Sequence, residues 1–256
     1  MEFLFIRESL MESLIMNARK IGLTSRRSLI KWGFLGLGSM AIAALPRVVN
    51  AQPSNRGKTL TFNANDAGIL NFALLLEELE SAFYAGVISS GKVTNAKELD
   101  YMRYLGSQEA AHVTFLRSVL ANQVIFTTQD LSLNQSTLST ILNSRESILN
   151  TSVTLEDVGV HAYNGAGTSM TNPTYLLAAG SIVSVEARHA AGVRSLLGRP
   201  TTEPDSERQI SDANLNPALN PFKGRAYDEL YTPKQIVSIV GSLNLLNNPI
   251  DGALVA

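Results

Sequence analysis

The chain has only three histidines, and two of them close the same short motif: Glu109-Ala110-Ala111-His112 and Glu186-Ala187-Arg188-His189. A Glu and a His three apart on a helix share one face, about one turn apart, so a carboxylate and an imidazole can meet the same ion. Each motif is preceded by a second pattern. Glu77 is followed seven residues later by Tyr84, and Glu156 seven later by Tyr163. Seven residues return to nearly the same helix face. The Glu-to-Glu step between the two patterns is 32 residues in the first half (77 to 109) and 30 in the second (156 to 186). The chain therefore contains an internal two-fold repeat of chemistry as well as of shape.

Helix signals place these residues. Asn65 or Asp66 caps a first helix over Ala67–Ile88, and a glycine-containing link at Ser89–Gly91 ends it. A second helix is expected over Ala96–Leu120. The Thr/Ser/Asn/Gln-rich segment Ala121–Ser136 reads as a long crossover. A third helix is expected over Leu138–Asn164, with a break near Thr151–Thr154. Asn172 caps a fourth with Pro173 at its first position, and Gly198 and Pro200 stop it. Thr59–Phe62 suits a short extended piece. After Gly198 the chain is rich in Pro, Asn and charge up to Arg225, and Thr232-Pro233 opens a short helix through Leu243. The expected fold is all-α: a four-helix bundle with a long crossover between helices 2 and 3 and a C-terminal extension carrying a short extra helix.

Four glutamates and two histidines on four bundle helices are the ligand set of di-iron and di-manganese carboxylate bundles. Two divalent ions bring four positive charges, which four carboxylates balance in a desolvated core. Buried glutamates without that balance would be costly or protonated. An oxygen-rich set with two imidazoles suits iron or manganese, and zinc also fits. The tyrosines can orient ligand carboxylates from a neighbouring helix.

The segments Leu76-Glu77-Glu78-Leu79-Glu80-Ser81-Ala82-Phe83-Tyr84, Glu156-Asp157-Val158-Gly159-Val160-His161-Ala162-Tyr163 and Val185-Glu186-Ala187-Arg188-His189-Ala190-Ala191 resemble the ferritin-like domain family over about residues 65–200. That family includes exported bacterial proteins and desiccation-related proteins of plants. The resemblance implies that Glu109 and Glu186 bridge two ions, that Glu77 and Glu156 bind terminally, and that His112 and His189 each take one ion. It implies a dinuclear iron or manganese centre meeting a small oxidant, as a peroxidase, catalase or oxidase in stress protection. It admits a homo-oligomer. The competing reading is a non-enzymatic envelope or desiccation-related protein whose metal is structural or missing; an iron-storage cage comes third.

Residues 1–51 hold seven of the 21 Lys/Arg and three of the 22 Asp/Glu, leaving 14 and 19 for a mildly acidic remainder. Such a remainder has no electrostatic footprint for nucleic acid. The basic excess belongs to a targeting segment. Ser25-Arg26-Arg27-Ser28-Leu29-Ile30-Lys31 resembles the twin-arginine export signal, followed by the apolar stretch Trp32–Leu45 and the small-residue site Val49-Asn50-Ala51. Cleavage is expected before Gln52, with the twin-arginine translocase as partner and the periplasm or exterior as destination. An uncleaved membrane anchor is the alternative, although 14 apolar residues fall short of the ~20 of a spanning helix. Met11 or Met16 is an alternative start. The expected divisions are a signal over 1–51, the bundle over 52–200 and the extension over 201–256. The absence of cysteine excludes thiolate ligands, disulfides and thiol catalysis.

Several neighbours of the motifs carry two readings. Glu80 lies one turn beyond Glu77 on the same face, as an outer partner or an alternative ligand. Glu78 points away and is expected to be solvated. His161, five residues after Glu156, is off the ligand face and suits a surface or supporting role better than ligation. Asp157 faces away and would pair with Arg188 or Arg194. Tyr84 and Tyr163 are either core aromatics or site residues, and their matched spacing favours the site.

Overall fold

The structure, a computed structural model, describes residues 57–202 and 228–256. The targeting segment, its cleavage site before Gln52 and most of the Pro- and Asn-rich stretch to Arg225 lie outside the described residues.

The four bundle helices are α1 (Asp66–Ser90), α2 (Ala96–Leu120), α4 (Arg145–Ala166) and α5 (Pro173–Leu196). Short α3 (Gln135–Ile141) sits in the crossover, and α6 (Pro233–Leu243) in the C-terminal extension. Each bundle helix begins where an Asn or Ser side chain accepts a hydrogen bond from the first turn: Asn65, Asn95, Ser144 and Asn172. Such caps satisfy backbone donors that have no partner inside the helix. Gly91 ends α1 with φ 65°, a left-handed conformation natural to glycine.

The expected third helix is two helices. The interruption falls at residues 142–144, where Ser144 caps α4, and α4 runs unbroken through Thr151–Thr154. The hydroxyls there do not compete with the helix. Ser152 Oγ donates to the Ile148 carbonyl (2.9 Å) and Thr154 Oγ1 to that of Asn150 (3.1 Å), both one turn back.

α1 packs against α2 and α4 against α5 as two helical hairpins, and α1 meets α4 across the centre. The α2–α5 face is the loosest of the four. α1 is buried continuously from Gly68 to Glu80, as its run of apolar residues around every side demands. Two apolar layers fill the bundle. One gathers Leu70, Leu74, Leu116, Val158 and Ile182; the other gathers Phe83, Met102, Leu105, Ile148 and Val193. On all four helices the acidic motif residues fall in sequence between the positions that feed these two layers.

The extension adds Ile236 and Val240, 0% and 4% exposed, to the first layer. Its last residues form a parallel two-stranded pairing, β1 (Leu60–Thr61) with β2 (Ile250–Asp251). Asn248 ties three segments together. Its amide donates to the carbonyls of Lys58 (2.8 Å) and Asp130 (2.9 Å), and its oxygen accepts from Ser132 N–H (2.6 Å). No helix of the described residues is long and apolar enough to cross a membrane.

Candidate metal centre

The six residues of the repeated motifs meet between the two apolar layers. Glu77, Glu109, Glu156, Glu186 and His189 are at most 1% exposed, and the His112 side chain is 13% exposed. Their atoms fall into two overlapping sets, Glu77/Glu109/His112/Glu186 and Glu109/Glu156/Glu186/His189. Within each set one donor atom per residue lies within 4.8 Å of all the others. Glu109 and Glu186 belong to both.

The imidazoles face this cluster through Nδ1. His112 Nδ1 lies 3.1 Å from Glu77, 3.0 Å from Glu109 and 3.2 Å from Glu186. His189 Nδ1 lies 2.8 Å from Glu109 and 3.2 Å from Glu156. The tyrosines cross between the halves. Tyr84 on α1 donates to Glu156 on α4, and Tyr163 on α4 donates to Glu77 on α1.

Five buried carboxyls thus share one core, counting Glu80, which is 2% exposed. Both oxygens of Glu80, both of Glu186 and one of Glu109 have no hydrogen bond. Where those of Glu109 and Glu186 approach an imidazole, they do so as ion pairs only. Among the described residues no lysine or arginine pairs with any of the five. Burial raises Glu77 to about 7 against the hydrogen bond of His112. Burial, then the charge of Glu77, pushes Glu186 well above the usual carboxylate range. Burial, then the charge of Glu186, does the same to Glu80. Glu109 is the exception: against its burial, the two imidazoles hold it down to about 2. Against their own burial, the carboxylates raise His112 to about 12 and His189 to about 10. Unbonded buried oxygens, and carboxyls that burial and crowding hold in the protonated form, are what cations relieve. Oxygen-rich donors with two imidazoles are chemistry that suits divalent metals, so the residues could hold a metal.

Two residues that serve this cluster were not anticipated. The His189 Nε2–H donates to Gln108 Oε1 at 3.0 Å, which leaves Nδ1 turned toward the carboxylates. Gln108 directly precedes Glu109, so helical periodicity does not place it on the ligand face. Gly159 makes room for Glu186: a Cβ there would sit 3.1 Å from Glu186 Oε2. A glycine inside a helix, three residues after Glu156, was a readable sign of close approach.

Three neighbours are corrected or resolved. Glu78 is not solvated. It is 6% exposed, held by Arg117 Nε (3.0 Å) and Nη2 (2.5 Å) and by Thr128 Oγ1 (3.0 Å), because the crossover folds back over it. His161 is not on the surface. It is 5% exposed and in neither ligand set, with its ring 4.4 Å from that of Tyr231 in the extension. Asp157 pairs with Arg194 at 2.5 Å.

The family model described as a ferritin-like domain matches residues 65–199, more than half of the chain and all six residues of the cluster. No curated protein matches the chain.

Proposed function

The chain belongs to the ferritin-like domain family, and from that premise we propose that it is an exported protein holding two iron or manganese ions that react with dioxygen or peroxide in stress protection. The observation that carries this reading is the sharing of Glu109 and Glu186 by both ligand sets. Glu109 and Glu186 would serve both ions, Glu77 and Glu156 one each, and His112 and His189 one each. Export rests on the twin-arginine motif around Arg26 and Arg27.

Bound iron or manganese would supply the electrons that reduce the oxidant. The protein's own groups do the rest. Four carboxylates balance the ionic charge in a core from which the apolar layers exclude water. Tyr84 and Tyr163 fix the orientation of Glu156 and Glu77, and Gln108 holds the tautomer of His189. Metal analysis of the exported protein tests the reading. About two ions of iron plus manganese per chain are expected; less than about one, with no loss during purification, removes the redox function and leaves a scaffold.

Proton release supplies a second check. With imidazoles raised to about 12 and about 10, chelated protein carries both as imidazolium at neutral pH. A metal needs the neutral ring, so uptake must expel those protons, and affinity must rise with pH. Calorimetric titration at pH 7 in two buffers of different ionisation enthalpy should show about two protons or more released per pair of ions. Release of less than about one would contradict the assigned histidine ligands.

A further inference from the structure

Beside the centre lies a cavity of about 100 Å³. Its wall is formed by α1, the end of α4, the α4–α5 loop and the C-terminal extension, through residues that include Ile69, Phe72, Leu76, Tyr163, Met170 and Ile236. Ile69, Phe72, Ala73 and Leu76 occupy one stripe of α1 at helical spacing, and Glu77 is the next residue. Glu80 continues that stripe, four residues and so about 6 Å beyond Leu76. Tyr163 belongs to the cavity wall and also donates its hydroxyl to Glu77. One side chain therefore separates this space from a carboxylate of the centre.

The wall is mostly apolar, and each of its five hydroxyls has a partner. Tyr163 bonds Glu77, Thr168 bonds the Gly165 carbonyl (2.8 Å), Ser169 lies 3.5 Å from Thr168 Oγ1, Tyr231 bonds Glu229 (2.8 Å) and Thr232 bonds Gln235 (3.0 Å). A water molecule needs roughly two to four polar partners, whereas dry apolar cavities of this order take xenon and small apolar molecules. A drug-sized organic ligand asks for roughly 300 Å³ or more. Hydrogen peroxide, which donates and accepts hydrogen bonds, would lose them here. Dioxygen loses none.

We propose that this cavity is a binding site for dioxygen, which it holds one tyrosine away from Glu77. The inference rests on the oxidant-reacting function proposed above and selects dioxygen over peroxide as the oxidant this cavity serves. The extension contributes Tyr231, Ile236 and Leu254 to the wall, so it forms one side of the gas site.

Xenon is the probe. Crystals of the iron-loaded full chain under xenon pressure should show the gas between Phe72, Met170 and Ile236. Two filling variants, Ala73→Leu from α1 and Ala166→Leu from the rim of α4, should each lose it. Oxidation of the ferrous protein by dissolved oxygen should then slow roughly tenfold, as expected when an apolar pocket loses its fit, while oxidation by peroxide stays unchanged. Two variants from different helices keep the test open if the buried Ala73 position does not tolerate leucine. Ordered water in place of xenon, or a filled cavity with undiminished oxygen reactivity, overturns the proposal. Xenon in the cavity of a protein whose iron ignores both oxidants overturns the function instead and leaves the gas site standing.

Discussion

Glu109→Ala should bind neither metal ion, whereas Glu156→Ala should still bind one. Glu109 is 0% exposed and presents one oxygen 3.0 Å from His112 Nδ1 and the other 2.8 Å from His189 Nδ1. It is a member of both ligand sets. Removing it would strip a carboxylate from both candidate sets at once. Loss of a group that merely orients a ligand weakens metal binding about 10- to 100-fold, so loss of a shared ligand should exceed about 100-fold at both positions. Glu156 belongs only to the second set, and its removal leaves Glu77, Glu109, His112 and Glu186 in place. His161→Ala, in neither set, should keep both ions. Metal content of the purified variants reads all three. Circular dichroism in chelator separates lost metal from lost fold, since one acid fewer in an over-acidic core should not unfold it. A Glu109→Ala protein that retains an ion would end the bridging assignment.

The second large effect is expected at Gly165→Ala, which touches no ligand. The main chain of the extension passes so close to α4 here that a Cβ on residue 165 would sit 1.9 Å from the Tyr231 carbonyl oxygen. Backbone cannot swing aside as a side chain can, so the extension must shift away from the bundle. Tyr231 also donates its N–H to the His161 carbonyl at 3.1 Å, a bond that the same shift breaks. Overpacking costs about 1–3 kcal/mol, and exposing Ile236 or Val240 adds about 1.5–3 kcal/mol each. A loss of about 3 kcal/mol lowers the melting temperature by roughly 6–12 °C for a domain of this size. Scanning calorimetry measures that. Limited proteolysis should show new cuts near Tyr231. An unchanged melting temperature and digest would mean that the extension does not depend on this contact.

Periodicity carried the reading of the sequence a long way, because the ligands are local facts. Glu109 and His112 share a face on any helix, and so do Glu77 and Tyr84. The bounds read for α1, α2 and α5 fall within a residue or two, those of α1 and α5 with their caps. What escaped depends on which segments return to one another. Glu78 was read as solvated because its partners are distant in sequence: Arg117 reaches it from α2 and Thr128 from the crossover. Asn248 carries no local signal, since its partners Lys58, Asp130 and Ser132 are all distant in sequence. The break in the third helix was expected near Thr151–Thr154, whereas it falls at residues 142–144, where Ser144 caps α4. Burial and back-bonded hydroxyls made the Thr151–Thr154 run helical. The tyrosine spacing pointed to the site, but not to the carboxylate each would serve, since a helix does not encode its neighbour.

That crossed pairing bears on the integrity of the chain. Tyr84 serves a carboxylate of the second hairpin and Tyr163 one of the first, so neither hairpin carries a finished half of the centre. A cut in the crossover would yield two fragments that each hold a Glu-x2-His motif but lack the hydroxyl that bonds their own Glu77 or Glu156. They would have to associate like subunits to recover it. A lone hairpin of this kind could complete itself only by pairing with a copy. The single chain therefore carries within its core what would otherwise be a dimer interface.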